Sequence, residues 1–159
     1  MRVRRMVGEA ERTAYHEAGH FVVWHALPCR ALRIEAVTIA DSDRYAGGLA
    51  SQTSPWLAGG DLEDICVVLL AGYAAEFRRV GRPAPSHART DLAQVTRFVR
   101  RLCRGDRAAE VRLRKELHDR CARVLEAHWG RVERLAAALL ERETLSRAAA
   151  IAAISAIDE

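Results

Sequence analysis

Residues 13–20 read Thr13-Ala14-Tyr15-His16-Glu17-Ala18-Gly19-His20. No proline interrupts the chain from about Glu9 to Ala26, and Pro28 ends any helix just beyond Leu27, so this stretch is predicted to be helical. Residues four apart on a helix share a face, so His16 and His20 present two imidazoles to one point. Zinc accepts imidazole nitrogen readily, and a catalytic zinc keeps one position open for water. Glu17 projects beside that open position, where a carboxylate takes a proton from the attacking water and passes it to the leaving amine. A single helical turn thus supplies two metal ligands and a general base. The same residues also fit an ordinary helix surface, since HExxH occurs by chance. Gly19 tips the balance: glycine inside a helix costs about 1 kcal/mol against alanine, and close packing near a site explains it better than folding alone.

A catalytic zinc usually takes three protein ligands. Glu76, His87 and Asp91 are the downstream candidates, and composition does not choose among them. His25 falls on the opposite face of the first helix, and His118 and His128 lie in later helices where they read as surface residues.

Beyond this helix, Leu32 to Ala40 is rich in β-branched residues (Ile34, Val37, Thr38, Ile39) and reads as a strand. Asp41 to Gly48 has turn chemistry, and a second short strand follows at about Leu49 to Thr53. Asp61 then caps a helix running from Leu62 to about Arg79, apolar nearly all round and so expected to be central. Gly81 to Pro85 reads as a loop, and a third helix from Thr90-Asp91 ends before Gly105. From Ala108 the pattern is helical to the end. Leu113, Leu117, Cys121, Val124, Leu125, Val132, Leu135 and Leu139 form one apolar stripe, with a bend at Gly130. A terminal helix, about Ser146 to Ile157, takes Ser146 as its cap. The expected fold class is mainly α with a small β-sheet (α+β), in a single domain over residues 1–159.

Charge narrows the function classes. The net charge of +4 rests on arginine, Lys115 being the sole lysine, but acidic residues are interspersed throughout, as in Glu141-Arg142-Glu143. Mutually paired helix faces follow, and no nucleic-acid partner is expected because no aromatic-interleaved basic stretch accompanies the charge. Cys29, Cys66, Cys103 and Cys121 form no CxxC pair and read as reduced thiols. The apolar run Ile65 to Ala75 is too short to span a bilayer, and Met1-Arg2-Val3-Arg4-Arg5 is followed by no signal-length apolar stretch. The expectation is a soluble, cytoplasmic protein with no membrane contact.

The motif and its surroundings resemble the FtsH family of membrane-anchored AAA+ zinc proteases. The likeness covers Thr13 to His20, Val37-Thr38-Ile39 with Gly47-Gly48, Leu70 to Glu76, Thr90-Asp91-Leu92-Ala93-Gln94-Val95-Thr96, Arg123-Val124-Leu125 and Leu135 to Leu145. That resemblance implies an FtsH-like metallopeptidase domain with Zn2+ held by His16, His20 and Asp91, the aspartate at a helix start. It also implies that the strand at Val37, Thr38 and Ile39 is an edge strand that lines the active site and pairs with an extended peptide.

The chain departs from the family pattern as well. The family's ATPase module and membrane anchors have no counterpart here, Arg89-Thr90 stands where the family has Ser-Asn, and the stretch after Gly48 is short. A long segment before the C-terminal helices is missing too. Hexameric assembly and ATP-driven unfolding are therefore in question. What is expected is a stand-alone, ATP-independent zinc endopeptidase acting on short or unfolded polypeptides, with a separate ATPase partner and homo-oligomers as further possibilities. The rival expectation is a non-catalytic, zinc-containing adaptor module.

Overall fold

The computed structural model describes residues 2–41, 46–53, 57–82 and 85–156, leaving aside the side chains of 2–7, 41, 46–50, 52 and 85–88. Their order is α1 (Arg2–Ala26), β1 (Leu32–Asp41), β2 (Ala46–Thr53), α2 (Gly59–Val80), α3 (Pro85–Cys103), α4 (Arg107–Ala127), α5 (Trp129–Arg142), β3 (Thr144–Ser146) and α6 (Arg147–Ser155). The described residues are mainly helical with a small antiparallel sheet, as the sequence predicts.

The most enclosed segment is the middle of α1, where residues 13–23 are buried without a break. The apolar α2 packs against it and is central and buried, as the sequence predicts. It buries Leu62, Ile65, Cys66, Val67, Val68, Leu70, Ala71 and Ala75, but Phe77 stays exposed. Helix α1 is covered by α2, α5 and the sheet on different sides, which is why polar Thr13, His16, Glu17 and His20 lie inside the protein. The α1–α2 crossing is close because Gly19 has no side chain: a Cβ there would stand 2.5 Å from the Ala71 carbonyl oxygen and 2.6 Å from the Ala75 Cβ. The packing reason inferred for Gly19 therefore holds.

Strand β1 pairs with β2 from Leu32↔Thr53 to Asp41↔Ala46. Glu35 is the extra residue of a bulge between Ile34 and Ala36, which lets both Ile34 and Val37 face the core despite their odd spacing. The Gly47-Gly48 pair, read as part of a turn, belongs to β2, where Gly48 pairs with Thr38. Residues 42–45 of that expected turn lie outside the described residues.

The sheet order is β2-β1-β3, and this corrects the substrate-binding expectation for Val37, Thr38 and Ile39. Val37 pairs with Leu49 on one side and Leu145 on the other, and Thr38 with Gly48 and Thr144. The Ile39 amide donates to the Glu143 carbonyl at 2.8 Å. Strand β1 is thus the central strand, with both ladders occupied at Val37 and Thr38, and offers a peptide no free edge at those two residues. The cause is β3, a short strand inside a region read as helical to the end. Glu143 takes a left-handed φ of 60° beyond α5 and turns the chain into it.

Other boundaries move for identifiable reasons. Helix α2 starts at Gly59, so Asp61 is not its cap; its carboxylate instead reaches back to accept from the Ala58 amide at 2.9 Å. Helix α3 starts at Pro85, because proline suits a first helical turn, whose amides lack partners in any case. The predicted bend at Gly130 falls at His128, which ends α4 and caps α5. Ser146 does cap α6, accepting from the Ala149 amide at 3.2 Å. Cys29, Cys66 and Cys121 are free and buried, and burial pushes the Cys66 and Cys121 thiols up to about 12. No helix among the described residues is long and apolar enough to cross a membrane.

Candidate metal centre

Three side-chain atoms from two helices meet at one point. His16 Nε2 lies 3.1 Å from His20 Nε2 and 3.2 Å from Asp91 Oδ2, and His20 Nε2 lies 3.1 Å from the same carboxylate oxygen. The two imidazoles come from one face of α1, as the four-residue spacing predicts. Asp91 comes from the second turn of α3 rather than from a helix start, since α3 begins at Pro85.

The far nitrogens of the rings are held as well. His20 Nδ1 is 2.7 Å from the Val68 carbonyl oxygen of α2, which can only accept, so Nδ1 carries the hydrogen and Nε2 turns its lone pair toward Asp91. His16 Nδ1 is 3.3 Å from Glu76 Oε2, also on α2. Glu76 is fully buried, and it touches the opposite nitrogen of His16 from the one facing Asp91. It therefore stands behind the ring rather than among the converging atoms. His87 lies in α3 with its side chain outside the described residues.

With hydrogens assigned this way, three acceptor atoms point at one another, and only a cation or an added proton reconciles them. Without a metal the proton goes to His16. Burial opposes its charging, but the hydrogen bonds to Asp91 and Glu76 and the nearby Glu17 charge outweigh this and raise its pKa to about 9. Burial likewise disfavours the Asp91 carboxylate, yet the hydrogen bond from protonated His16 and the neighbouring imidazole of His20 hold its pKa well below the usual range. A zinc ion fits the same place. Tetrahedral ligation at roughly 2.0–2.1 Å puts ligand atoms about 3.3 Å apart, close to the separations seen here. His16, His20 and Asp91 can hold a metal ion.

Glu17 is next to His16 on α1 and is 6 % exposed, against 4 % for His16 and 5 % for His20. The Asp91 side chain, 18 % exposed, is the most accessible of the group. Sequence reading missed Gly72, on α2. A Cβ there would lie 2.8 Å from His16 Nε2 and closer still to His20 Nε2 and Cε1. The signal was available, because a glycine inside an apolar helix raises the same question as Gly19.

The chain is similar to the ATP-dependent zinc metalloprotease FtsH 1 of Sorangium cellulosum (strain So ce56), with 36% identity over 98 residues. That match covers 59% of this chain but only 16% of the relative's length. No protein-family model matches the chain. The likeness connects the chain with zinc metalloproteases of the FtsH kind and points to a protease-related function.

Proposed function

We propose that this chain is a zinc metallopeptidase domain that hydrolyses peptide bonds in short or unfolded polypeptides, without ATP. The observation that carries the reading is the meeting of His16 Nε2, His20 Nε2 and Asp91 Oδ2 within 3.2 Å of one another, beside Glu17. His16, His20 and Asp91 would hold the ion, and zinc bound there polarises the water and the scissile carbonyl as a Lewis acid. The remaining work falls to the chain. The Val68 carbonyl and Glu76 fix the rings and keep the Nε2 lone pairs directed at the metal. Glu17 takes the proton of the attacking water onto its carboxylate and delivers it to the leaving amine.

Substrate would bind as an added strand. Since both sides of β1 are taken, the outer edge of β2, a strand that packs against α1, is the longer edge left for it among the described residues. Main-chain pairing there tolerates many sequences.

A second reading, a zinc-containing adaptor without catalysis, draws on the burial of His16, Glu17 and His20. One experiment separates the two: measure zinc content and peptide hydrolysis for the native chain and for Glu17→Gln. The peptidase reading expects about one zinc per chain in both and hydrolysis only in the native chain. Zinc without hydrolysis in either protein supports the adaptor, and absence of zinc from both sinks the pair.

A further inference from the structure

We propose that Gly72 is a positioning residue of the metal centre, one whose missing side chain leaves the room between the two imidazole Nε2 atoms that a metal ion and its open coordination position need. The inference rests on the metal reading above and concerns a residue on a helix that supplies none of the three converging atoms. Helix α2 crosses α1 at two glycines, and they do different things. At Gly19 an added Cβ would run into α2 itself, at the Ala71 carbonyl and the Ala75 Cβ, so its role is helix packing. At Gly72 the three nearest atoms are all imidazole atoms: Nε2 and Cε1 of His20, and Nε2 of His16 at 2.8 Å. Nothing of the α1 backbone is among them.

The rings, rather than the α1 backbone, are therefore what a side chain at residue 72 would meet first. Neither ring moves freely, because His20 is tied to the Val68 carbonyl and His16 to Glu76 through their Nδ1 atoms. A methyl group at residue 72 must turn the rings aside. In the metal-free protein they can yield at the expense of those hydrogen bonds. A ligated pair cannot, since metal bonds of about 2.0–2.1 Å fix both nitrogens. The same methyl would crowd the position that a catalytic zinc keeps for water.

The test compares Gly72→Ala with Gly60→Ala, a glycine of the same helix whose Cβ would meet nothing within 4 Å. Zinc content, zinc affinity by chelator competition and melting temperature in chelator are measured for each. The expected result is loss of stoichiometric zinc in Gly72→Ala, with helicity in chelator retained, and native zinc binding in Gly60→Ala. Native zinc affinity in Gly72→Ala would overturn the proposal while leaving the metal reading intact; absence of zinc from the native chain overturns both. Should Gly72→Ala fold poorly, the same substitution is made in a His16→Ala/His20→Ala background. There the methyl meets no ring, and the melting temperature should be unchanged or higher. A penalty that persists without the imidazoles places the clash elsewhere and ends the proposal.

Discussion

Glu76 Oε2 lies 3.3 Å from Nδ1 of His16, on the far side of the ring from Asp91, so a fully buried carboxylate and a histidine 60 positions apart in sequence form the back of the candidate metal centre. The arrangement would give Glu76 an effect on a metal held by His16, His20 and Asp91 without contact with it. By accepting from Nδ1 it raises the basicity of Nε2 and fixes the plane of the ring.

Asp91→Ala should abolish tight zinc binding, whereas Glu76→Gln should weaken it by about 10- to 100-fold, the usual range for a residue that orients a ligand. A zinc titration against a chromophoric chelator reads both. The reverse order would make Glu76 a ligand and remove Asp91 from the site.

The pH dependence of the metal-free protein follows from His16. Its pKa in the folded chain is raised from 6.5 to about 9, against the opposing effect of burial, by Asp91, Glu76 and Glu17. A group with a raised folded pKa contributes stability that is fully present below its unfolded value and is lost as pH rises through the folded one. Stability in chelator should therefore fall between about pH 6.5 and 9, by on the order of 3 kcal/mol at most. The depressed Asp91 pKa reports the same ion pair from its other side and acts only in acid, so it is not added. Zinc competes with that proton, so zinc affinity should rise over the same range. Denaturation midpoints in chelator that do not change between these limits would show that His16 is neutral in the fold.

Gly19→Ala should destabilise the protein by about 1–3 kcal/mol, the usual penalty for overpacking, because α2 backbone lies 2.5 Å from the new methyl. Gly8→Ala, in the same helix with nothing within 4 Å, should instead gain up to about 1 kcal/mol. Urea titrations of the two variants decide it. Equal effects would mean that α1 and α2 separate easily at the crossing.

Much of this was legible in the sequence. The first helix, its two histidines and the β-branched first strand follow from spacing and side-chain type. The third converging residue did not, because Glu76, His87 and Asp91 differ only in where α2 and α3 carry them. Resemblance selected Asp91, and the distances to His16 and His20 place its carboxylate at the Nε2 atoms. Strand β3 was invisible for a physical reason. Thr144–Ser146 is too short for periodicity to show, and Leu145 alone of its residues is buried. That omission had a consequence, since it is β3 that converts β1 from an expected edge into a central strand. Gly72 was overlooked because a glycine among Leu70, Ala71, Ala74 and Ala75 looks like one more small packing residue until α1 is set against it.

The proposed peptidase activity would be limited to certain substrates. The sequence has no Gly-x-x-x-x-Gly-Lys segment, so the chain carries no nucleotide site of that type. Pairing along β2, as proposed, would demand an extended partner with free main-chain amides, and folded proteins rarely present one of sufficient length. The purified chain should therefore cleave unfolded, reduced protein and short peptides while sparing the same protein when folded, with no change on addition of ATP. N-methylation of alternate backbone amides in a good peptide substrate should suppress its cleavage, because those amides can no longer donate to the strand edge, whereas conservative side-chain changes should matter less. Equal digestion of folded and unfolded protein, or stimulation by ATP with no second protein present, would refute the substrate reading. Cleavage of folded protein only when a separate ATPase is supplied would fit it, since that partner would then perform the unfolding.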